Sequence, residues 1–378
     1  MPCGRSQTKP RHTEQSGEPL MPHIMERIAQ LLEGGERLAL ATILHQDGST
    51  PRTAGARMFV TADGRSEGTI GGGLAEAMAQ RLGRELLAGK NDAQAELLNV
   101  DMSSSKPSDM DMICGGSLEA YVEVLEPKPE TVAVFAACAD AIRQGRTALF
   151  ATRLPGGKAR PTHCALDPAT PEQGGTCDGA LPDSVDASKI LDAAQNGTWV
   201  VTAPAAGGER WFVETLSPPD TVYLFGAGHV AQTTAVVAAQ ADFRVTVLDD
   251  RPEFANRERY PDAHRIIVLD SFEGIFQSPE MANDRIAENS YLVIVTRGHS
   301  HDGLVLRQAL ATGAGYVGMI GSSSKRETIY QAMREDGYTD DDLARVHSPI
   351  GLSIGAQTPG EIAVSIVAEL VQHRRQND

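Results

Sequence analysis

The chain has 378 residues, 41% hydrophobic and 22% charged, so it is long enough for more than one core and too apolar to stay disordered. Fifty acidic side chains against 34 basic ones give a formal net charge of -16, which argues against a generic phosphate-backbone binder and so against nucleic acid as a partner. No apolar run approaches the length of a membrane span and the first 20 residues are polar with no signal core, which predicts a cytoplasmic protein behind a disordered tail over 1–20.

After that tail, Ile24, Ile28, Leu31 and Leu32 recur at helical spacing, and Gly34 and Gly35 end the run as a C-cap does. RLALATILHQDG and RMFVTADG follow as strands joined by the turn-rich STPRTAGA, and TIGGG leads into a helical run from Leu74 to Leu87. Alternation from Leu118 to Pro127 closes an α+β domain over 21–127. PETVAVFAACADAIRQG then opens a middle α+β segment, 128–216, with a helix followed by the strand TALFATRL. Gly, Pro and Ala crowd 155–186 with little periodicity, predicting a long surface loop before the strands GTWVVTAP and ERWFVETL. Ser217 to Asp220 is a linker, and no internal repeat is visible.

From Thr221 onward the apolar runs VYLF, RVTVLDD, RIIVLD, YLVIVT and GYVGMIG alternate with helical segments, the pattern of βαβ units winding a parallel sheet over 221–378. GAGHVA matches G-x-G-x-x-A between strand and helix. Gly226 allows the tight turn, Gly228 admits a pyrophosphate to the backbone, His229 opens the helix, and the small Ala231 lets helix and strand pack. The next strand ends in Asp249 and Asp250, with Asp249 the choice for the hydroxyls of an adenine ribose, as in NAD or another adenine nucleotide; an unused pocket on a retained fold is the other reading. Hydride transfer also needs a proton carrier, and His299 and Asp302 in TRGHSHDG are the catalytic candidates of an NAD-dependent oxidoreductase acting on a small substrate. Alternatively Arg297, His299 and His301 hold a phosphate or a pterin, or the turn is merely solvated. Gly321, Ser322 and Lys325 in GSSSKR open a further helix and a further phosphate site, unless Lys325 and Arg326 are plain surface charges.

Toward the N-terminus, Gly71, Gly72 and Gly73 begin a helix where exposed N–H groups attract an anion, with Arg52 and Arg57 nearby as bidentate partners; a close-packed turn without a ligand is the alternative. Cys114, followed by two glycines, is either a thiolate open to a ligand or a buried small hydrophobe. The five cysteines, Cys3, Cys114, Cys138, Cys164 and Cys177, form no CxxC pair and no zinc spacing, so neither a disulfide framework nor a structural metal is predicted.

Together, GSTPRTAGARM, GTIGGGLAEA, MICGG, LFGAGHVA with VLDDRPEFA, TRGHSHD, GYVGMIGSSSKR and SPIGLSIGAQTPGEIAVSI resemble the XdhC/CoxI family, accessory proteins that mature molybdenum hydroxylases such as xanthine dehydrogenase. The resemblance implies an α/β protein: an N-terminal α+β XdhC/CoxI domain plus a C-terminal doubly wound Rossmann-like parallel sheet. It implies binding of molybdenum cofactor (molybdopterin), protection of it while a cysteine desulfurase replaces an oxo ligand with sulfur, and delivery to the hydroxylase apoenzyme by a non-catalytic chaperone that acts as a homodimer. Under it, Cys114 is a candidate contact for molybdenum or its sulfur, and Gly71 to Gly73 a candidate for the pterin phosphate. Residues 128–216 carry no motif of that kind, and there is no nucleotidyltransferase extension.

Overall fold

A computed structural model describes residues 15–16, 23–47, 54–89, 92–101, 116–154, 160–170, 175–179, 200–203, 209–282 and 284–377. By its internal contacts the chain divides into two compact units, one of Pro22–Pro218 and one of Pro219–Asp378 together with Met1–Met21. Most of the tail expected to be disordered lies outside the described residues; within it Gln15–Ser16 form a two-residue strand, β1.

The N-terminal unit begins with helix α1 (Ile24–Glu33), whose buried face is built by Met25, Ile28, Leu31 and Leu32. Strands β2 (Leu38–Asp47), β3 (Arg57–Thr61) and β4 (Ser66–Gly68) follow, then helix α2 (Gly73–Leu87) and strands β5 (Ala95–Asp101) and β6 (Ser117–Leu125). They form one antiparallel sheet in the order β4-β3-β2-β6-β5. Helix α3 (Pro129–Arg143) leads into β7 (Ala148–Leu154), β8 (Thr162–Leu166), β9 (Gly175–Cys177), β10 (Val200–Ala203) and β11 (Glu209–Leu216), a second sheet in the order β10-β11-β7-β8-β9.

Read from its other edge, the second sheet has the plan of the first. A helix precedes a central strand, the next strand and a short outer strand lie on one side, and the last two strands return to the other. The registers agree as well: Thr42 lies opposite Arg57 and Tyr121, as Thr152 lies opposite His163 and Phe212, while Leu40 faces Glu123 as Phe150 faces Glu214. The unit is therefore an internal duplication that the sequence conceals, because a shared plan constrains burial and pairing rather than residue identity.

Three expectations change accordingly. Residues 21–127 and 128–216 are one unit, because Met25, Leu32, Leu40 and Phe59 share a core cluster with Phe135, Phe150 and Leu216. The stretch 155–186 contains β8, all five of whose residues are buried; the run THCAL is too short to show a period beside its Gly-rich and Pro-rich flanks. Cys164 and Cys177, directly opposite across β8 and β9, form a disulfide that no sequence spacing announces.

The C-terminal unit carries the expected doubly wound sheet. Strands β12 (Thr221–Phe225), β13 (Arg244–Asp249), β14 (Arg265–Val268), β15 (Ser290–Ile294), β16 (Tyr316–Met319) and β17 (Val346–His347) run parallel in the order β14-β13-β12-β15-β16-β17, with β1 antiparallel against β14. Helix α4 (His229–Gln240) covers one face, with α8 (Pro359–Asn377), while α5 (His299–Leu310), α6 (Ser323–Glu335) and the short α7 (Asp340–Ala344) cover the other. Burial on both faces explains the near-continuous apolar strands: in β12, Val222 and Leu224 join the α4 side while Tyr223 and Phe225 join the α5 side. The strand order reverses between β12 and β15, which opens a crevice at their carboxyl ends.

Candidate functional site

The first wall of the crevice is the turn from β12 into α4. Gly226 has φ +110°, and a Cβ there would lie 2.5 Å from the Val295 carbonyl oxygen, so only glycine lets the two strand ends approach. A Cβ on Gly228 would meet nothing within 4 Å. Gly228 begins α4 with no side-chain cap, which leaves the first N–H groups of the helix without an N-cap acceptor. His229 is exposed on the first turn, and Ala231 is fully enclosed beneath it, as its small size requires.

Asp249, the acid assigned to a ribose, is instead enclosed within the turn. Its Oδ2 accepts the Ala227 N–H at 2.7 Å, and both oxygens are bonded by the Arg251 guanidinium, at 2.8 and 2.9 Å. Turn and acid do cooperate, but Asp249 braces the loop; Asp250, beside it, keeps an open side. There Arg297 grips Asp250 through two bonds, one of 2.8 Å, and Arg297 beside Asp250 holds that carboxyl below the usual carboxylate range.

The second wall follows β15. Gly298 begins α5, again with no side-chain cap, and a Cβ on it would meet nothing within 4 Å. Arg297 lies 3.4 Å from His301 Nε2, and His299 is exposed. Asp302 is fully buried: Thr296 Oγ1 donates to its Oδ1 at 2.6 Å, and Lys325 pairs with its Oδ2 while also donating to the Ile320 carbonyl at 3.3 Å. Gly321 leads into α6, whose N-terminus carries a side-chain cap, since Ser322 Oγ accepts the Lys325 N–H at 3.2 Å. The structure thus joins Asp302 to Lys325 and Asp250 to Arg297, and leaves the two helix starts lining the crevice, at Gly228 and Gly298, without N-cap side-chain bonds.

The expected N-terminal anion pocket is corrected. Glu76, in the first turn of α2, accepts the N–H groups of Ile70 at 3.2 Å and Gly72 at 2.8 Å, so the Gly71 to Gly73 turn already holds a carboxylate and repels a second anion. Arg57 is enclosed and bonded to Glu214 of β11, one bond being 2.7 Å, which removes it as an oxyanion partner. Arg52 and Cys114 lie outside the described residues.

Sequence reasoning missed the buried cluster around Arg57. His163, at the position in β8 that Arg57 holds in β3, bonds Glu123 of β6 through Nε2 at 2.9 Å and Asp178 through Nδ1 at 2.8 Å. Each half of the duplication thus supplies a cation to a glutamate of the other. Burial opposes a charged imidazole, but Glu123 and Asp178 outweigh it and raise the His163 pKa to about 10. Burial lowers the Arg57 pKa to about 10. Phe150 stacks on His163 with ring centroids 5.9 Å apart and lies 5.4 Å beneath the Arg57 guanidinium. Arg251 and Thr296 were also missed; adjacency to Asp249 and to the β15 end were their only signals.

Among the described residues, no cluster of His, Cys, Asp and Glu forms a metal site, and no helix is long and apolar enough to cross a membrane. Residues 31–99 match the XdhC and CoxI family model, and residues 222–370 match the XdhC Rossmann domain. A probable xanthine dehydrogenase subunit from Bacillus subtilis (strain 168) is 24% identical over 345 residues, covering 91% of this chain and 96% of its own length. The molybdenum cofactor insertion chaperone PaoD of Escherichia coli (strain K12) is 21% identical over 352 residues, 93% of this chain and 88% of its own. The crystal structure of a xanthine dehydrogenase from Bacillus halodurans shares the fold, with a TM-score of 0.72 and 23% identity over 94% of this chain and 96% of that one.

Proposed function

The chain belongs to the XdhC and CoxI family, and on that premise we propose that it is an accessory protein of a xanthine dehydrogenase-type molybdenum hydroxylase. In this reading it binds molybdenum cofactor, shields it while a cysteine desulfurase delivers sulfur, and passes it to the apoenzyme, as a cytoplasmic homodimer without turnover of its own. The observation that carries the binding step is the pair of uncapped helix starts at Gly228 and Gly298 on the two walls of one crevice. Both fit an anionic group: neither helix is capped by its N-cap side chain, the Gly298 N–H making only a long 3.5 Å contact to Thr296 Oγ1, and the space a Cβ would occupy is open.

The backbone at Gly228 and Gly298 would hold the phosphate of the pterin, with Arg297 and His301 beside it. The cofactor, when bound, supplies the molybdenum centre on which the client's redox chemistry runs. This chain's residues bind it, orient it and exclude water. Cys114 is the proposed contact for molybdenum or its sulfur, on the strength of the family motif alone. An oxidoreductase reading has less support, because Asp302, one of its two proton-carrier candidates beside His299, is already bonded to Lys325 and Thr296.

The test is the pterin content of purified protein, read by fluorescence after oxidation, for the native chain, Gly228→Val and Cys114→Ala. Native protein carries pterin, Gly228→Val loses it while keeping its folded circular dichroism, and Cys114→Ala loses molybdenum or its sulfur. A native protein that carries no pterin and instead oxidises NADH with small carbonyl compounds overturns the reading.

A further inference from the structure

His163 and Asp178 stand next in sequence to the two cysteines of the β8–β9 pair, and the backbone ties all four together. Cys164 and Cys177 are bonded directly across the ladder. One residue on, the Asp178 N–H donates to the His163 carbonyl at 3.0 Å, and the His163 N–H donates to Asp178 Oδ1 at 2.7 Å. β9 is three residues long and, among the described residues, pairs with β8 alone, so Asp178 is held under the imidazole by a short edge strand, one covalent link and a 3.3 Å bond from Thr131 of α3. Cys164 is fully buried, whereas Cys177 is partly open to solvent.

We propose that Cys164 and Cys177 form an exchangeable dithiol–disulfide site, a redox latch that fixes Asp178 against His163 when oxidised and loosens it when reduced. The co-reactant is a low-molecular-weight thiol of the glutathione class. Its thiolate attacks Cys177 Sγ, the protein S–S bond breaks, and Cys164 leaves as a thiolate that takes up a proton. A second small thiol attacks the mixed disulfide at the small-molecule sulfur, releasing Cys177 and a small-molecule disulfide. The protein gains two electrons and two protons, while two small thiols become one disulfide; oxidation runs the same steps backwards.

The imidazole that senses the latch is surrounded on every side. Glu123 of β6 and Asp178 bond its two nitrogens, and Phe135 of α3 and Phe150 of β7 pack on its ring. The Arg57–Glu214 pair lies across Phe150, Cys138 of α3 is near Arg57, and Arg160 acts on Asp178. With Asp178 loosened, Glu123 alone holds the second proton of the imidazole, and one of the two exchanges that join the halves of the duplication weakens.

The test equilibrates the full chain in glutathione buffers from reducing to oxidising. The pair is read by alkylation and mass of the Cys164 and Cys177 peptides, and His163 by its ring-carbon NMR signal, assigned with Asp178→Asn, which moves that imidazole most. The pair converts reversibly with the buffer, and on reduction the His163 midpoint falls by about one unit, tenfold in proton affinity. Cys177→Ser gives the reduced midpoint in every buffer. Peptides that stay in one state across all buffers, or one His163 midpoint in both states, overturn the proposal.

Discussion

The two units handle buried charge in opposite ways. In the N-terminal unit two pairs between the halves enclose both partners: side-chain exposure is 3% and 4% for Arg57 and Glu214, and 4% and 2% for His163 and Glu123. At the crevice of the C-terminal unit the acid is enclosed and its base is less so, with 25% exposure for Arg251 over Asp249 and 15% for Lys325 over Asp302. A pair sealed on both sides can only join structure to structure. A pair with one open partner can brace a loop and still offer a cation to an anion arriving in the crevice.

The largest expected effect comes from breaking a sealed pair. Glu214→Ala leaves the Arg57 guanidinium buried without its carboxylate and costs about 3–5 kcal/mol, whereas Arg57→Leu combined with Glu214→Leu costs far less, because no charge is then stranded. Hydrogen exchange at the amides of β3 and β11 reads the loss locally, with the C-terminal sheet as internal control. A loss under about 1 kcal/mol for the single variant would remove the distinction between sealed and half-open pairs.

Next is the glycine turn. Gly226→Val forces a side chain into the Val295 carbonyl at a left-handed φ and costs the C-terminal unit about 2–4 kcal/mol, measured by thermal melting. Gly228→Ala, two residues on, changes stability by no more than about 1 kcal/mol and acts on ligand binding instead. Equal melting of the two variants would contradict the assignment of one glycine to packing and the other to a ligand.

These positions also show what was legible beforehand. The parallel sheet and the turn from Gly226 to Ala231 could be read because burial on both faces writes continuous apolar runs and because a phosphate-type turn restricts residue choice at fixed spacing. Which acid serves the turn and which faces outward could not be read, since Asp249 and Asp250 are adjacent and only the pleat decides between them. Nor could the Gly71 to Gly73 turn reveal that Glu76, a turn further along α2, satisfies it from within. The duplication stayed hidden for a different reason: Arg57 and His163 occupy one structural position with different chemistry, and their partners Glu214 and Glu123 lie far along the chain.

Raising the pH separates the units again. The folded pKa of His163, about 10, lies above its ordinary 6.5, so its contribution to stability is complete below about pH 6.5 and is lost as the pH rises toward 10. His264, in the C-terminal unit, has the opposite sign. Burial, with Arg244, Arg265 and Arg257, lowers its pKa to about 4, so its contribution is present above 6.5 and falls away as the pH drops toward 4. Between pH 7 and 9, hydrogen-exchange protection should therefore decline in β6 and β8 while holding in β13 and β14. Uniform decline in both sheets would mean that the His163 cluster does not govern the alkaline response.

The smallest expected effect tests the half-open pair most directly. Thr296→Val removes the hydroxyl donor to Asp302 Oδ1 while keeping the shape of the side chain. The cost to stability is about 1–2 kcal/mol, because one oxygen of a fully buried carboxylate loses its partner. The consequence lies at Lys325, which becomes the principal partner of Asp302 and is drawn more firmly onto it, so it offers less of its charge to an anion. Stability thus falls slightly while phosphate or pterin affinity falls with it, and Thr296→Ser restores both. Reduced stability with unchanged affinity would make Asp302 and Lys325 a purely structural pair, no different in kind from the sealed pairs of the N-terminal unit.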